Sequence, residues 1–128
     1  MAEPNKRILV VDDASLVRLY YRDALVRAGY AVDEALNGLE ALEKLLLEPA
    51  DLLIVDINMP QMDGLTFLKT LRRQDGPVAA IPALVTSTEA GEQDFAAARA
   101  AGANFYLVKP IPQDDLVDYV ALLCGPAA

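Results

Sequence analysis

Side chains that could take part in phosphoryl transfer follow four short apolar runs in this sequence. Asp12 and Asp13 follow the first run, Asp56 the second, Thr86 the third and Lys109 the fourth. A carboxylate can attack phosphorus, because aspartyl phosphate is an established covalent intermediate. Further carboxylates can bind a divalent cation, and a lysine can neutralise charge on a phosphoryl oxygen. These residue types therefore suit the formation of an aspartyl phosphate.

Two kinds of apolar segment alternate along the chain and determine where these side chains lie. Short continuous apolar runs predict strands buried on both faces at residues 8–11, 52–55, 83–85 and 105–108. A charged segment predicts an edge strand at residues 31–35. Helical apolar spacing, or richness in alanine for the fourth segment, predicts helices within residues 16–28, 41–46, 65–71, 90–101 and 116–123.

Strict alternation of five strands with five helices predicts an α/β fold built on a doubly wound, five-stranded parallel sheet. The expected strand order is the flavodoxin-like order 2-1-3-4-5. With 128 residues the chain has the size of a single domain, and we expect a core over about residues 6–124.

In such a sheet, ligands bind at the carboxyl ends of the strands, near the switch point between strands 1 and 3. Two carboxylates about 4 Å apart repel by about 4 kcal/mol at an effective dielectric constant of 20, so a proton or a cation must compensate them. Oxygen ligands without cysteine or histidine favour Mg²⁺ or Mn²⁺ over zinc. The alternative is that Asp12 and Asp13 cap the first helix and that Asp56 is unrelated to them.

Composition opposes several other classes of protein. A formal net charge of −8 opposes nucleic-acid binding, and charges or prolines interrupt every apolar run before the ~18 residues of a membrane span. Residues 1–7 are polar and unlike a signal peptide, so a cytoplasmic protein is expected. Histidine is absent, so any phosphohistidine must belong to a partner, and the single Cys124 cannot form an internal disulfide. The sequence has no glycine-rich nucleotide loop and no Gly-x-Ser-x-Gly motif.

These residues resemble the receiver domains of bacterial response regulators over essentially the whole chain. The matching segments are residues 8–13, 55–64, 84–86 and 106–110. The most specific part is an Asp-x-x-Met-Pro-x-Met-Asp-Gly loop with a Lys-Pro pair downstream. The element lengths also match the single-domain chemotaxis receiver, and the short tail after Leu123 favours a stand-alone protein.

The resemblance implies a role for each residue of the rim. Asp56 would accept a phosphoryl group from a partner histidine kinase or histidine phosphotransfer protein. Asp12, Asp13, Asp56 and the backbone carbonyl of Asn58 would hold Mg²⁺. Lys109 would contact the phosphoryl group. The chain would then be a signalling switch that catalyses its own phosphorylation and slow dephosphorylation, not an enzyme acting on other substrates.

The resemblance also implies how the switch works and what shapes the site. The Thr86 hydroxyl would move to a phosphoryl oxygen, and the Tyr106 ring would occupy the space that it leaves. The alternative for Tyr106 is an ordinary half-buried strand aromatic. Residues expected to shape the loops beside the site are Met59, Pro60, Asp63, Gly64 and Pro110, the last after a cis peptide bond.

Partner surfaces are expected on two sides of the domain. The phosphoryl donor would dock on the first helix and the loop after strand 5, through Leu16, Val17, Tyr20 and Ile111. The alternative for these residues is scattered surface apolar side chains, which are common. An unknown downstream protein would bind helix 4, strand 5 and helix 5, and neither nucleic acid nor membrane is expected as a partner.

Three other functions remain open from the sequence. The chain could be a receiver module excised from a larger regulator or hybrid kinase. It could be a degenerate receiver that acts without phosphorylation, although all the site residues are present. It could also be a Mg²⁺-dependent phosphatase with an aspartyl-phosphate intermediate, but such enzymes usually have a second acid where this chain has Asn58, and they carry a cap domain.

Overall fold

The computed structural model describes residues 5–59 and 61–127. Within these residues the strands are β1 Arg7–Val11, β2 Ala31–Ala35, β3 Leu52–Asp56, β4 Ala83–Ser87 and β5 Phe105–Val108. The helices are α1 Ser15–Arg27, α2 Gly38–Leu47, α3 Gly64–Arg72, α4 Glu92–Ala101 and α5 Gln113–Cys124, with a 3₁₀ helix at Pro77–Ala80. Among the described residues, no helix is both long and apolar enough to cross a membrane.

The strands form one parallel sheet in the order β2-β1-β3-β4-β5, which confirms the predicted flavodoxin-like topology. The order reverses between β1 and β3, and this is where a doubly wound sheet opens a crevice at its carboxyl edge. Val11 is in register with Val55, and Asp56 is in register with Thr86. The polar residues at the ends of three neighbouring strands therefore lie side by side.

The core has two halves because side chains alternate between the faces of a sheet. One half packs under α1 and α5 and includes Ile8, Val10, Leu52, Ile54 and Leu84 from the strands. The other half packs under α2, α3 and α4 and includes Leu9, Val11, Leu53, Val55 and Val85. Together the two halves bury β1, β3 and β4 on both faces, as the continuous apolar runs predict.

The prediction for β5 is wrong, because this strand is not buried on both faces. Phe105 and Val108 are 37% and 40% exposed, and the other two residues of the strand are half-buried. In the described part of the chain β5 pairs with β4 alone. The helix on one side of it, α4, buries only the small side chains of Ala98 and Ala101. An apolar run thus sits at a second edge of the sheet, beside a thinly packed helix.

Candidate functional site

The carboxyl ends of β1 and β3 bring three carboxylates together. Carboxylate oxygens of Asp12, Asp13 and Asp56 all lie within 4.8 Å of one another. Asp12 and Asp56 are 1% and 5% exposed, whereas Asp13 is exposed. The Lys109 ammonium lies 3.2 Å from Asp12 Oδ2 and 3.2 Å from Asp56 Oδ1, so it bridges the two buried carboxylates.

The beginning of α1 shows that the acidic pair is not a helix cap. The N-cap residue of α1 is Ala14, which provides no side-chain cap, and the first turn of α1 contains no acidic residue. Asp12 Oδ1 accepts a hydrogen bond of 2.9 Å from the Ala14 backbone N–H. This bond holds one oxygen of Asp12 at the turn between β1 and α1, while the other oxygen faces Lys109. The capping alternative is therefore wrong, and Asp12 belongs to the carboxylate cluster.

The electrostatics of the cluster favour a bound cation. Burial, together with the Asp12 charge, raises the pKa of Asp56, although Lys109 opposes this shift. Burial alone would lower the pKa of Lys109, but the carboxylates of Asp12 and Asp56 outweigh it and raise that pKa. Three carboxylates and one ammonium leave two negative charges uncompensated when all four groups are ionised. A divalent cation has the charge that would balance them.

The donor set suits Mg²⁺ in chemistry and in spacing. The clustered ligands are carboxylate oxygens only, which hard cations prefer. Because Mg²⁺–oxygen distances are about 2.1 Å, two oxygens on opposite sides of one ion lie about 4.2 Å apart. The observed 4.8 Å limit would need an adjustment of less than about 1 Å, which side-chain rotation can supply. Asn58, whose backbone carbonyl is the fourth expected ligand, is exposed and lies two residues after Asp56 at the end of β3.

Thr86 and Tyr106 occupy different surroundings. Thr86 lies fully buried beside Asp56 in the sheet, and its hydroxyl oxygen has no hydrogen-bond partner among the described residues. Tyr106 is half-buried, donates its hydroxyl to the Glu89 carbonyl at 2.9 Å and packs edge-on against Phe95 at 4.7 Å between ring centroids. Tyr106 is in register with Val85, one residue before Thr86. Side-chain alternation therefore puts Thr86 and Tyr106 on opposite faces of the sheet.

The loop after β3 leaves little space around Gly64. A Cβ atom at Gly64 would lie 2.3 Å from the backbone oxygen of Asp56, so only glycine fits at this start of α3. The preceding Asp63 caps α3 by accepting a hydrogen bond of 2.8 Å from the Thr66 backbone N–H. Met59 is buried in the core half under α2, α3 and α4. The loop is thus fixed by the core at Met59 and by the helix cap at Asp63.

Two prolines are expected to shape the loops beside the site. The Lys109–Pro110 peptide bond is cis, as the resemblance implies. Pro60, expected to shape the loop after β3, lies outside the described residues.

The residues expected to dock a partner form one groove beside Lys109. Leu16, Val17, Tyr20 and Ile111 line an apolar cavity of about 480 Å³, whose wall also includes Tyr21 and Lys109. Leu16 is 79% exposed, while Ile111 is buried at the floor. Tyr20 donates its hydroxyl to the Ile111 carbonyl at 2.7 Å and so ties α1 to the loop after β5. The four residues therefore meet on one surface that opens next to the carboxylate cluster.

Sequence reasoning missed Arg18 as a support of the site. Its guanidinium donates to the Asp12 carbonyl at 2.7 Å and to Glu34 of β2 at 2.9 Å, so it ties the end of β1 to the neighbouring strand. Its side chain is 11% exposed. An arginine within an otherwise amphipathic helix gives no signal of this role, because the contact depends on where α1 crosses the sheet.

The chain is similar to known proteins both in sequence and in structure. The profile of the response regulator receiver domain matches residues 8–121. The chain is 38% identical over 116 residues to chemotaxis protein CheY of Bacillus subtilis, covering 89% of this chain and 93% of that protein. It is 44% identical over 106 residues to a protein-glutamate methylesterase/protein-glutamine glutaminase of Archaeoglobus fulgidus, covering 81% of this chain and 30% of that protein. The structure of chemotaxis protein CheY4 from Vibrio cholerae superposes with a TM-score of 0.87 at 34% identity, over 92% of this chain and 98% of that one.

Proposed function

Because this chain belongs to the response regulator receiver domain family, we propose that it is a signalling switch that is phosphorylated on Asp56. The phosphoryl donor is a histidine kinase or a histidine phosphotransfer protein, since the chain itself contains no histidine. The observation that carries the proposal is the buried Asp56 carboxylate, held 3.2 Å from Lys109 within a cluster of three acids. The proposal also places the chain in the cytoplasm.

The transfer step uses groups that the site already brings together. A carboxylate oxygen of Asp56 attacks phosphorus, the phosphorus–nitrogen bond to the donor imidazole breaks, and its electron pair returns to the imidazole. Lys109 neutralises charge on a phosphoryl oxygen, and the Thr86 hydroxyl donates a hydrogen bond to another. Asp12, Asp13, Asp56 and the Asn58 backbone carbonyl would hold a divalent cation. Mg²⁺, or Mn²⁺ in its place, would supply positive charge to stabilise the transferring group.

The switch acts through the end of β4. Thr86 and Tyr106 lie on opposite faces, so the Thr86 hydroxyl cannot draw Tyr106 inward unless the end of β4 and the following loop move. The loop is held to Tyr106 by the bond from its hydroxyl to the Glu89 carbonyl. The thin packing of α4 makes this region the easiest to shift, so α4, β5 and α5 form the output surface. A downstream protein binds this surface.

The phosphoryl donor docks on the apolar groove of Leu16, Val17, Tyr20 and Ile111. Two observations support this placement: the groove opens beside Lys109, and Leu16 presents most of its side chain to solvent. A donor imidazole must come within bonding distance of Asp56, and a partner seated on this groove needs no large movement to bring it there.

A specific observation favours one alternative context. The chain matches only 30% of the methylesterase relative's length, so a domain of this kind is also found as part of a longer protein. The chain could therefore be a receiver module of a larger regulator or hybrid kinase, with the same Asp56 chemistry. The phosphatase alternative is disfavoured, because the residue two positions after Asp56 is Asn58 rather than an acid.

Phosphorylation by a small donor tests the proposal. The protein is incubated with Mg²⁺ and acetyl phosphate, and its intact mass is measured. We expect a gain of one phosphoryl group in the wild type, none in Asp56→Asn, and an unchanged gain in Asp75→Asn, a control at an exposed carboxylate. No gain in the wild type, or a gain retained by Asp56→Asn, contradicts the proposal. Continuous hydrolysis of many phosphate esters would instead indicate the phosphatase.

A further inference from the structure

Tyr21 is a buried tyrosine in the half of the core that lies beneath the polar ends of the strands. It lies in α1, is 2% exposed and packs in the core half under α1 and α5. Tyr21 and Lys109 also line the same cavity. The ring therefore belongs to the apolar core, while the residue shares a cavity wall with Lys109, the group that contacts Asp56.

The alternation of strand side chains puts the polar rim directly above this half of the core. Each polar residue follows, by two positions, a strand residue that belongs to the same core half as Tyr21. The pairs are Val10 and Asp12, Ile54 and Asp56, and Leu84 and Thr86. Tyr21 thus packs in the half of the core that lies under these polar groups, and its hydroxyl is the polar end of the ring.

The Tyr21 hydroxyl stays neutral in this position and can form hydrogen bonds. Burial raises the pKa of Tyr21 to about 12, and Lys109 and the Thr86 hydroxyl oppose this shift only in part. A neutral phenol can both donate and accept a hydrogen bond. Within the part of the chain that the structure describes, the buried Thr86 hydroxyl oxygen has no hydrogen-bond partner. A Thr86 side chain turned toward the Tyr21 hydroxyl would gain the missing partner, and a buried hydroxyl without one is costly.

We infer that Tyr21 is a positioning residue, whose hydroxyl holds the Thr86 hydroxyl on the Lys109 side of β4 before a phosphoryl group arrives. The inference rests on the proposed function, because Thr86 matters here only as a donor to the phosphoryl group. Lys109 and Asp56 lie on this same side, so a Thr86 hydroxyl held toward Tyr21 is also held toward the site. Phosphoryl binding then needs less reorganisation, which is the advantage of preorganised donors.

Tyr21→Phe tests the inference, because it keeps the buried ring and removes only the hydroxyl. Beryllofluoride, a mimic of the phosphoryl group, is titrated into the protein in the presence of Mg²⁺, and Mg²⁺ alone is titrated separately by calorimetry. We expect beryllofluoride affinity to fall about fivefold, because the Thr86 hydroxyl is no longer held toward the site in the free protein, with Mg²⁺ affinity unchanged. A purely structural loss would lower both affinities together, because it would disturb the carboxylates as well.

Two further variants make the test specific. Tyr30→Phe removes another buried tyrosine hydroxyl, which donates to the Gly125 carbonyl away from the site, and should leave both affinities unchanged. In a Thr86→Val background, Tyr21→Phe should have no further effect on beryllofluoride binding, because the two hydroxyls act as one unit.

The results that overturn the inference differ from those that overturn the proposed function. Three results would each remove the role of Tyr21 while phosphorylation of Asp56 stands. They are unchanged or tighter beryllofluoride binding by Tyr21→Phe, a parallel loss of its Mg²⁺ binding, and a full effect of Tyr21→Phe in the Thr86→Val background. A wild type that binds no beryllofluoride and gains no phosphoryl group on Asp56 removes both.

Discussion

The charge cluster should make the protein without divalent cations less stable than a variant with one carboxylate fewer. Lys109 lies 3.2 Å from Asp56, an attraction of about 5 kcal/mol at an effective dielectric constant of 20. Asp12 lies within 4.8 Å, a repulsion of about 3.5 kcal/mol or more. The exposed Asp13 adds a screened repulsion, and burial of Asp56 adds a desolvation cost. The unfavourable contributions prevail, since the pKa of Asp56 is raised.

We therefore expect Asp56→Asn to increase the free energy of unfolding by about 1–2 kcal/mol in EDTA at pH 7. Urea unfolding followed by circular dichroism measures this difference. Asp75→Asn serves as the control, because Asp75 is an exposed carboxylate and its loss should change stability by less than about 0.5 kcal/mol. Lower stability of Asp56→Asn in EDTA would refute the reasoning about the cluster.

The pH dependence has a definite sign. The folded-state pKa of Asp56 lies above its ordinary value of 3.8, so folding favours the protonated carboxyl. This contribution is fully present below pH 3.8 and is lost as pH rises through the folded-state pKa. The advantage of Asp56→Asn should therefore be largest above that pKa and should disappear on acidification. Adding Mg²⁺ at pH 7 should reverse the order, because the wild type gains binding free energy that the variant loses.

The remaining predictions concern the loop after β3, the lysine and the docking groove. Gly64→Ala should cost about 2–3 kcal/mol in urea unfolding because its Cβ meets backbone, whereas Gly38→Ala meets mainly the flexible Met62 side chain and should cost clearly less; equal costs would contradict this. Because the pKa of Lys109 is raised above its ordinary value of 10.5, the charged lysine stabilises the fold below pH 10.5, and this contribution is lost as pH rises through the folded-state pKa. Lys109→Met should remove that alkaline loss in unfolding experiments at stepped pH. Leu16→Asp should slow phosphoryl transfer from the partner protein at least about tenfold and leave phosphorylation by acetyl phosphate unchanged; equal slowing of both would show that Leu16 does not dock the partner.

The topology could be predicted from the sequence because the apolar runs and the helical segments alternate without exception. Burial of β5 could not, because residues 105–108 look like the runs of β3 and β4. What differs is the neighbourhood: β5 ends the sheet, and α4 offers it alanines where α3 offers Phe67 and Leu68 to the core. How deeply a strand is buried depends on the segments that pack on it, so the local sequence pattern does not predict it.

The carboxylate site was within reach of sequence reasoning, whereas its supports were not. A parallel sheet brings all strand ends to one edge, so residue type and strand position were enough to group Asp12, Asp56 and Lys109. Tyr21 and Arg18 fit an ordinary amphipathic helix, and what each side chain contacts depends on where α1 crosses the sheet. The opposite faces of Thr86 and Tyr106 likewise follow from strand register, which sets the parity of each side chain. The carboxylates and the lysine can thus be found from local sequence. The contacts that support them depend on how one element packs on another.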